Sequence, residues 1–366
     1  MKPASQFRRH RQRLTVALGL TLLLGLIGLP GQGRSCVNAE DQVFLRASSG
    51  SGESRVVGDV EEYTGVELVF RHRSGREQTF DASRVARIES LWSAPHQTAR
   101  DKFREGQFQE SLDAYLQALR AEKRKWVQRQ QLARITWCYR NLGKLELAAS
   151  AFLALYRSDP STMHFAAIPL IWTTVPLDAA VERRAEKLLS DAAQPAGQLI
   201  GASWLITSAR RVDALQALRK LSNAEDARLI FLSEAQTWRT QLATVTDEGA
   251  AGWQTRINTM PQAIRSGPYF LLGTAHARLG KPTEAALALM RVRINYPDDR
   301  LLSARSLLAA GQELAPRNPQ EARAIYREII VDYADTSAAT TARQQHAKLS
   351  ATSSASSVNA GGSVKE

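Results

Sequence analysis

Cysteine is nearly missing from this chain of 366 residues: Cys36 and Cys138 are the only two. No disulfide framework can therefore carry the fold. Histidine is thin as well. His10, His72, His96, His164, His276 and His346 are scattered, with no His-Glu-x-x-His pair and no Cys/His cluster, so neither a metal nor another cofactor is expected. The Gly-x-Ser-x-Gly elbow and the Gly-x-Gly-x-x-Gly fingerprint are also missing. "SSGSGES" (48–54) is a polar Gly/Ser loop outside any strand-to-helix context. Two Gly-Lys pairs fail as phosphate loops, which need a glycine five residues earlier and a hydroxyl straight after the lysine. Gly280-Lys281 has Gly273 seven residues back and Pro282 next, and Gly143-Lys144 runs into Leu145. No catalytic residue is assigned, and acids and lysines at helical spacing are read as solvated faces.

Acids are lacking from the first 39 residues, which hold Lys2, Arg8, Arg9, Arg11, Arg13 and Arg34. An uncharged run, "LTVALGLTLLLGLIGL", covers Leu14 to Leu29. Pro30, Gly31 and Gly33 break it before the small-residue ending "VNA" at 37–39. Basic, apolar and small-residue segments in this order predict an export signal cleaved after Ala39, with an uncleaved anchor as the alternative. The sixteen-residue run is short of the roughly 20 that a spanning helix needs. Arg11 stands where a twin-arginine signal wants an apolar residue, and Gly33 where a lipoprotein signal wants one. Cleavage would take six positive charges from the formal +12, leaving +6. That surplus is mild and does not point to nucleic acid. It would also leave Cys138 alone in "ITWCYRNLG", as a small core residue rather than a nucleophile. The chain is expected in the periplasm or cell envelope.

From Glu40 to Trp92 the pattern has period two. Val66, Leu68 and Phe70 are expected on one side of a strand, with Glu67 and Arg71 on the other. "SRVVGDVEEY" (54–63), "REQTF" (76–80) and "RVARIES" (84–90) supply further short strands, with turns at Thr64-Gly65 and Ser74-Gly75. Residues 40–92 are thus expected as a small antiparallel barrel or curled sheet. Its strand order resembles SH3-like or Sm-like modules, which bind peptides or nucleic acid or pack on the next domain.

Beyond Ala94 the period becomes helical and a spacing repeats. Gly106 is followed by Phe108, Ser111, Tyr115 and Ala118; Gly143 by Leu145, Ala148, Phe152 and Leu155. Gly280 is followed by Pro282, Ala285, Leu289 and Val292; Arg317 by Pro319, Ala322, Tyr326 and Ile329. Pro160 and Pro297 then stand at the same offset from Gly143 and Gly280. These segments, with Leu272-Gly273 ahead of the third, resemble tetratricopeptide repeats, each an antiparallel helix pair. Gly suits the turn, the small residue the helix–helix contact, the bulky one the neighbouring space, and Pro the stop. The expected fold is therefore mainly α: an α-solenoid of antiparallel helix pairs behind a small β module. Repeats one and two fill 94–162, repeats three and four 263–349, and degenerate helix pairs 163–262. A Ser/Ala/Gly-rich tail from Ser350 is expected to be disordered. Trp137, Trp172, Trp204, Trp238 and Trp253 read as core anchors.

The resemblance implies a concave groove that binds a protein or peptide. Groove positions would be His96, Arg100, Phe103 and Arg104 in repeat one, and Ala133, Trp137, Arg140 and Asn141 in repeat two. Phe270, Thr274 and Arg278 would follow in repeat three. A basic patch, Lys123, Arg124, Lys125 and Arg129, reads either as the solvated end of an overlong second helix or as a contact for an anionic partner or membrane surface. The expected function is a non-catalytic scaffold of the bacterial cell envelope. The alternatives are a cell-wall or polysaccharide-binding component using the β module, or an enzyme with its site in 163–262.

Overall fold

The computed structural model describes residues 40–47 and 52–360, with only the backbone described from 352 onward. The expected leader, 1–39, and residues 361–366 lie outside the described residues. Five strands come first: β1 (Asp41–Arg46), β2 (Glu53–Tyr63), β3 (Glu67–His72), β4 (Glu77–Asp81) and β5 (Val85–Glu89). They pair antiparallel in the order β4-β3-β2-β1-β5, so β4 and β5 are the two edges. Alternation puts Val43, Leu45, Val60, Leu68, Phe70 and Phe80 into one core together with Trp126 and Val127 of the helical region. Trp126 Nε1 donates to Val60 O at 3.2 Å. Val66, expected on the buried side, is exposed because it precedes the strand. It sits in a turn whose Gly65 N–H donates to Asp159 Oδ2 at 3.0 Å. An ideal Cβ at Gly65 would fall 1.7 Å from Ser161 O, so glycine is what lets this turn touch the helices.

Fourteen α-helices follow among the described residues. The first four are α1 (Ala94–Arg104), α2 (Phe108–Ala121), α3 (Lys125–Asn141) and α4 (Leu145–Ser158). The middle holds α5 (Ala179–Ser190), α6 (Pro195–Leu205), α7 (Arg211–Lys220), α8 (Ala227–Gln241) and α9 (Asp247–Thr259). The last are α10 (Ser266–Arg278), α11 (Pro282–Asn295), α12 (Arg300–Leu314), α13 (Pro319–Asp332) and α14 (Ser337–Ala360). The repeat register holds at every level. Gly106, Gly143 and Gly280 all have positive φ, at 75°, 70° and 70°, where a side chain would be strained. Ser111, Ala148, Ala285 and Ala322 are fully buried, and Tyr115, Phe152, Leu289 and Tyr326 fill the space beside them. Gly273 packs so closely that an added Cβ would lie 2.5 Å from Leu289 Cγ.

Three details depart from the expectation. No overlong second helix exists: α2 stops at Ala121 and α3 begins at Lys125. The Glu122 carboxylate accepts the N–H groups of Lys123 and Arg124, both at 3.0 Å, and turns the chain there. The tail is helical rather than disordered as far as Ala360. Its alanines favour helix, and the Gly361-Gly362 breaker comes only afterwards. The third departure matters most. Between α4 and α5 the chain leaves helical geometry, apart from one short turn at Phe165–Ala167, and runs through the repeats as an irregular segment. Phe165, Ile168, Leu170, Ile171 and Trp172 are buried in the largest core. Its backbone is held by side chains: Trp204 Nε1 donates to Pro169 O at 2.8 Å, Arg239 to Thr173 O at 3.2 Å, and Arg140 to Ala166 O at 3.1 Å. Ser203 Oγ accepts from Ile171 N–H at 2.9 Å. This is how a groove holds a peptide, and here the peptide is the chain's own.

Candidate partner cleft

The array curls until α3 meets the turn between α11 and α12. Arg134 pairs with Asp298 at 2.9 Å and Arg140 with Asp299 at 2.6 Å, while Asn141 Nδ2 donates to Asp298 O at 3.3 Å. This contact and the internal segment occupy the groove expected from repeat two. Arg140 and Asp299 side chains are only 10% and 7% exposed, with the guanidinium 4.1 Å from the Trp137 ring centroid. Trp137 belongs to the main core. So Arg140 and Asn141 do not present a free groove to a partner, because their guanidinium and amide N–H groups are matched within the chain. Ala133 and Trp137 do border a cavity of about 470 Å³, shared with His164 and the 295–299 turn. Arg278 is exposed at the end of α10, and Phe270 and Thr274 line neither cleft described below.

The repeat-one set fares differently. His96, Arg100, Phe103 and Arg104 all border one cleft of about 720 Å³, with Trp92, Tyr115 and Arg134 beside them. Its opposite wall is β5 and the residue after it, from Arg87 to Ser90. Trp92 is the hinge of the aromatic lining: it stacks on His96 with centroids 4.5 Å apart and meets Trp126 edge-on at 5.8 Å. Arg100 lies 6.0 Å from the Trp92 centroid and has no ion-pair partner among the described residues. Arg104 has only an exposed contact with Asp101 at 3.4 Å. Burial, followed by the nearby Arg100 charge, pushes the His96 pKa down to about 4. His96 is therefore neutral at pH 7 and accepts or donates to Gln131 at 3.2 Å. Free cationic charge in the cleft thus belongs to Arg100 and Arg104.

A smaller cavity of about 270 Å³ continues along β5 past Trp126, Arg129 and Gln130. The basic patch divides at this point. Arg129 is buried, paired with Glu62 and donating to Tyr63 O at 3.1 Å. Arg124 pairs with Glu122 at 2.9 Å and donates to Ser90 Oγ at 2.8 Å. These two arginines fasten the sheet to the helices instead of forming an exposed patch. Lys123 and Lys125 remain exposed. Sequence reasoning missed Trp92, Gln130 and the β5 edge, and counted Arg134 with the basic stretch rather than with the groove. Gln130, Arg134 and Trp137 share the i, i+4, i+7 face of α3, a spacing that could have revealed the first two.

The tetratricopeptide repeat family model matches residues 269–299, which covers most of α10 and all of α11. Together with the paired helices, this match supports a tetratricopeptide-like helical-repeat architecture. Such a repeat supports a protein–protein interaction scaffold in general. No curated protein matches the chain. Among the described residues, no group of His, Cys, Asp and Glu could hold a metal ion, and no helix is long and apolar enough to cross a membrane.

Proposed function

We propose that this protein is a non-catalytic scaffold of the bacterial cell envelope that holds a protein or peptide partner in the cleft between β5 and the first repeat. One observation carries the reading: Arg100 and Arg104 stand beside Trp92 at an open cleft, with Arg100 unpaired among the described residues, while Arg140 in the repeat-two part of the groove holds the chain's own segment. Arg and Trp are residue types enriched at binding hot spots. The leader pattern of residues 1–39 supports export. A scaffold rather than an enzyme is supported by the structural use of several middle-region acids: Asp178 and Asp226 cap helices, accepting from Val181 N–H and Arg228 N–H at 2.9 Å, and Glu234 pairs with Arg256 at 2.7 Å.

Affinity capture from native envelope fractions, with the full chain as bait, tests the scaffold. Arg100→Glu with Arg104→Glu should reduce recovery of the partner more than tenfold, with a larger effect at low salt. Reversing the exposed Lys123 and Lys125 should leave it unchanged. If only the lysine reversal abolishes capture, the contact lies at the α2–α3 corner and the cleft is not the site. Export is tested by fusing residues 1–45 to a reporter, which should leave the cytoplasm. A reporter retained there would overturn the envelope assignment.

A further inference from the structure

The open cleft has an unusual wall. β5 pairs with β1 along one side only, and its other side is the end of the sheet. Residues 86–89 make no backbone–backbone hydrogen bond outside the β1 ladder among the described residues. An edge of this kind is a ready template for another strand, and proteins usually blunt it with a bulge, a charge or a cover. Here the β1–β5 register shifts between Phe44 and Leu45, and Arg87 and Glu89 carry charge, but no cover is present: Val85 to Ser90 border two contiguous cavities, so the edge opens onto a space with aromatic and cationic side chains on its far side. Arg129 Nε and Gln130 Oε1 belong to that far side, and both are buried without a partner. A donor and an acceptor left unmatched in this way are uncommon in folded proteins. A peptide backbone carries the complementary pair.

We propose, resting on the scaffold reading above, that the partner enters as an extended acidic segment that adds a strand to the free edge of β5. Main-chain hydrogen bonds to residues 86–89 would supply affinity, and alternate side chains would face the Trp92 side of the cleft. A carboxylate at the end of the strand would meet Arg100 and Arg104. Charge selects this occupant over the chain's own leader, because residues 1–39 bring six bases and no acid to a cationic site.

The test uses the full chain and labelled decapeptides of alternating Thr and Val that end in Glu-Asp. Binding should protect the amides within 86–89 from hydrogen exchange. N-methylation of one alternating set of peptide amides should weaken binding more than tenfold, and methylation of the other set should change it less than twofold. Arg100→Glu should cost more than tenfold, and a Lys-Lys ending should bind no better than that variant. Failure of every peptide to bind, or equal losses for the two methylation sets, would overturn strand addition. So would protection of 86–89 in the free chain that disappears when 361–366 are deleted, or that grows with protein concentration, because the occupant would then be the chain's own tail or a second copy. If envelope capture depends on Arg100 and Arg104 but the 86–89 amides gain no protection, strand addition is wrong and the scaffold reading stands. If charge reversal affects neither measurement, both are wrong.

Discussion

Adding one methyl group at Gly267 should drive Trp172 out of its place. Gly267 lies in the first turn of α10 and is buried. An ideal Cβ there would sit 1.8 Å from Trp172 Cε2 and 2.1 Å from Cδ2. Carbon atoms pack at roughly 3.5 Å, so the indole must retreat by about 1.5 Å or more. It has little room, since Trp172 is 7% exposed within the main core. Overpacking costs about 1–3 kcal/mol, and complete ejection approaches the about 3–5 kcal/mol of a Trp→Ala change. Ala is favoured over Gly in a helix by up to about 1 kcal/mol, which offsets part of this. Gly267→Ala should therefore destabilise by about 1–3 kcal/mol in equilibrium denaturation and expose residues 168–178 to limited proteolysis. The added methyl has nothing to strike once the indole is gone. Trp172→Ala combined with Gly267→Ala should be as stable as Trp172→Ala alone, or up to about 1 kcal/mol more stable, far from additive. A Gly267→Ala protein as stable as the parent, or additive effects in the pair, would refute the placement of this segment in the groove.

Other substitutions probe the register, the closure and the buried histidines. Ala285→Leu should cost about 1–3 kcal/mol, because Ala285 is fully buried between paired helices. Glu284→Gln, on the neighbouring position, should leave the thermal midpoint unchanged, and equal shifts for both would contradict the repeat register. Arg140→Met should cost about 3–5 kcal/mol by stranding the buried Asp299 carboxylate, and adding Asp299→Asn, which removes the charge but keeps an oxygen for the Leu302 N–H, should recover most of it. Failure of the second change to recover stability would show that the pair itself, not the stranded charge, matters. Burial holds the pKa values of both His96 and His164 down to about 4. Arg100 and Arg134 face the first; Arg134 and Arg129 face the second. The unfolded chain takes up these protons near pH 6.5, so their contribution is intact above that value and drains as pH falls towards 4. The denaturation midpoint should fall through that window, and His96→Gln with His164→Gln should flatten the profile. An unchanged slope would assign the acid sensitivity to other groups.

The repeats were legible because their physics is local. A glycine at a positive-φ turn and a small residue five positions later need nothing beyond the helix pair, so Gly143 and Ala148 announce themselves. Strand alternation is local too, which is why 53–89 divided into strands at nearly the expected positions. The groove was only half legible. Arg100 and Arg104 face open space because nothing distant reaches them. Trp137, Arg140 and Asn141 have the same helical credentials, yet they meet Asp298 and Asp299 and the segment around Ala166. Contacts across some 160 positions leave no trace in periodicity. Residues 163–262 were expected as helix pairs throughout, and the signal that went unread was the run of Pro160, Pro169 and Pro176, since prolines at this density oppose helix. The basic patch misled for a related reason: charge in a sequence does not say whether its partner waits far along the chain, as Glu62 of the sheet does for Arg129.

The meeting of α3 with Asp298 and Asp299 has a consequence for how such an array can change. An open row of helix pairs tolerates gain or loss of a unit, because each pair touches only its neighbours. This chain brings its second pair back against the turn after its third signature-bearing pair, through Arg134 and Arg140. Insert or delete one unit between them, and both arginines would face the wrong turn. The fold counts its own repeats, and its number of middle helices is fixed by the distance between two arginines and two aspartates.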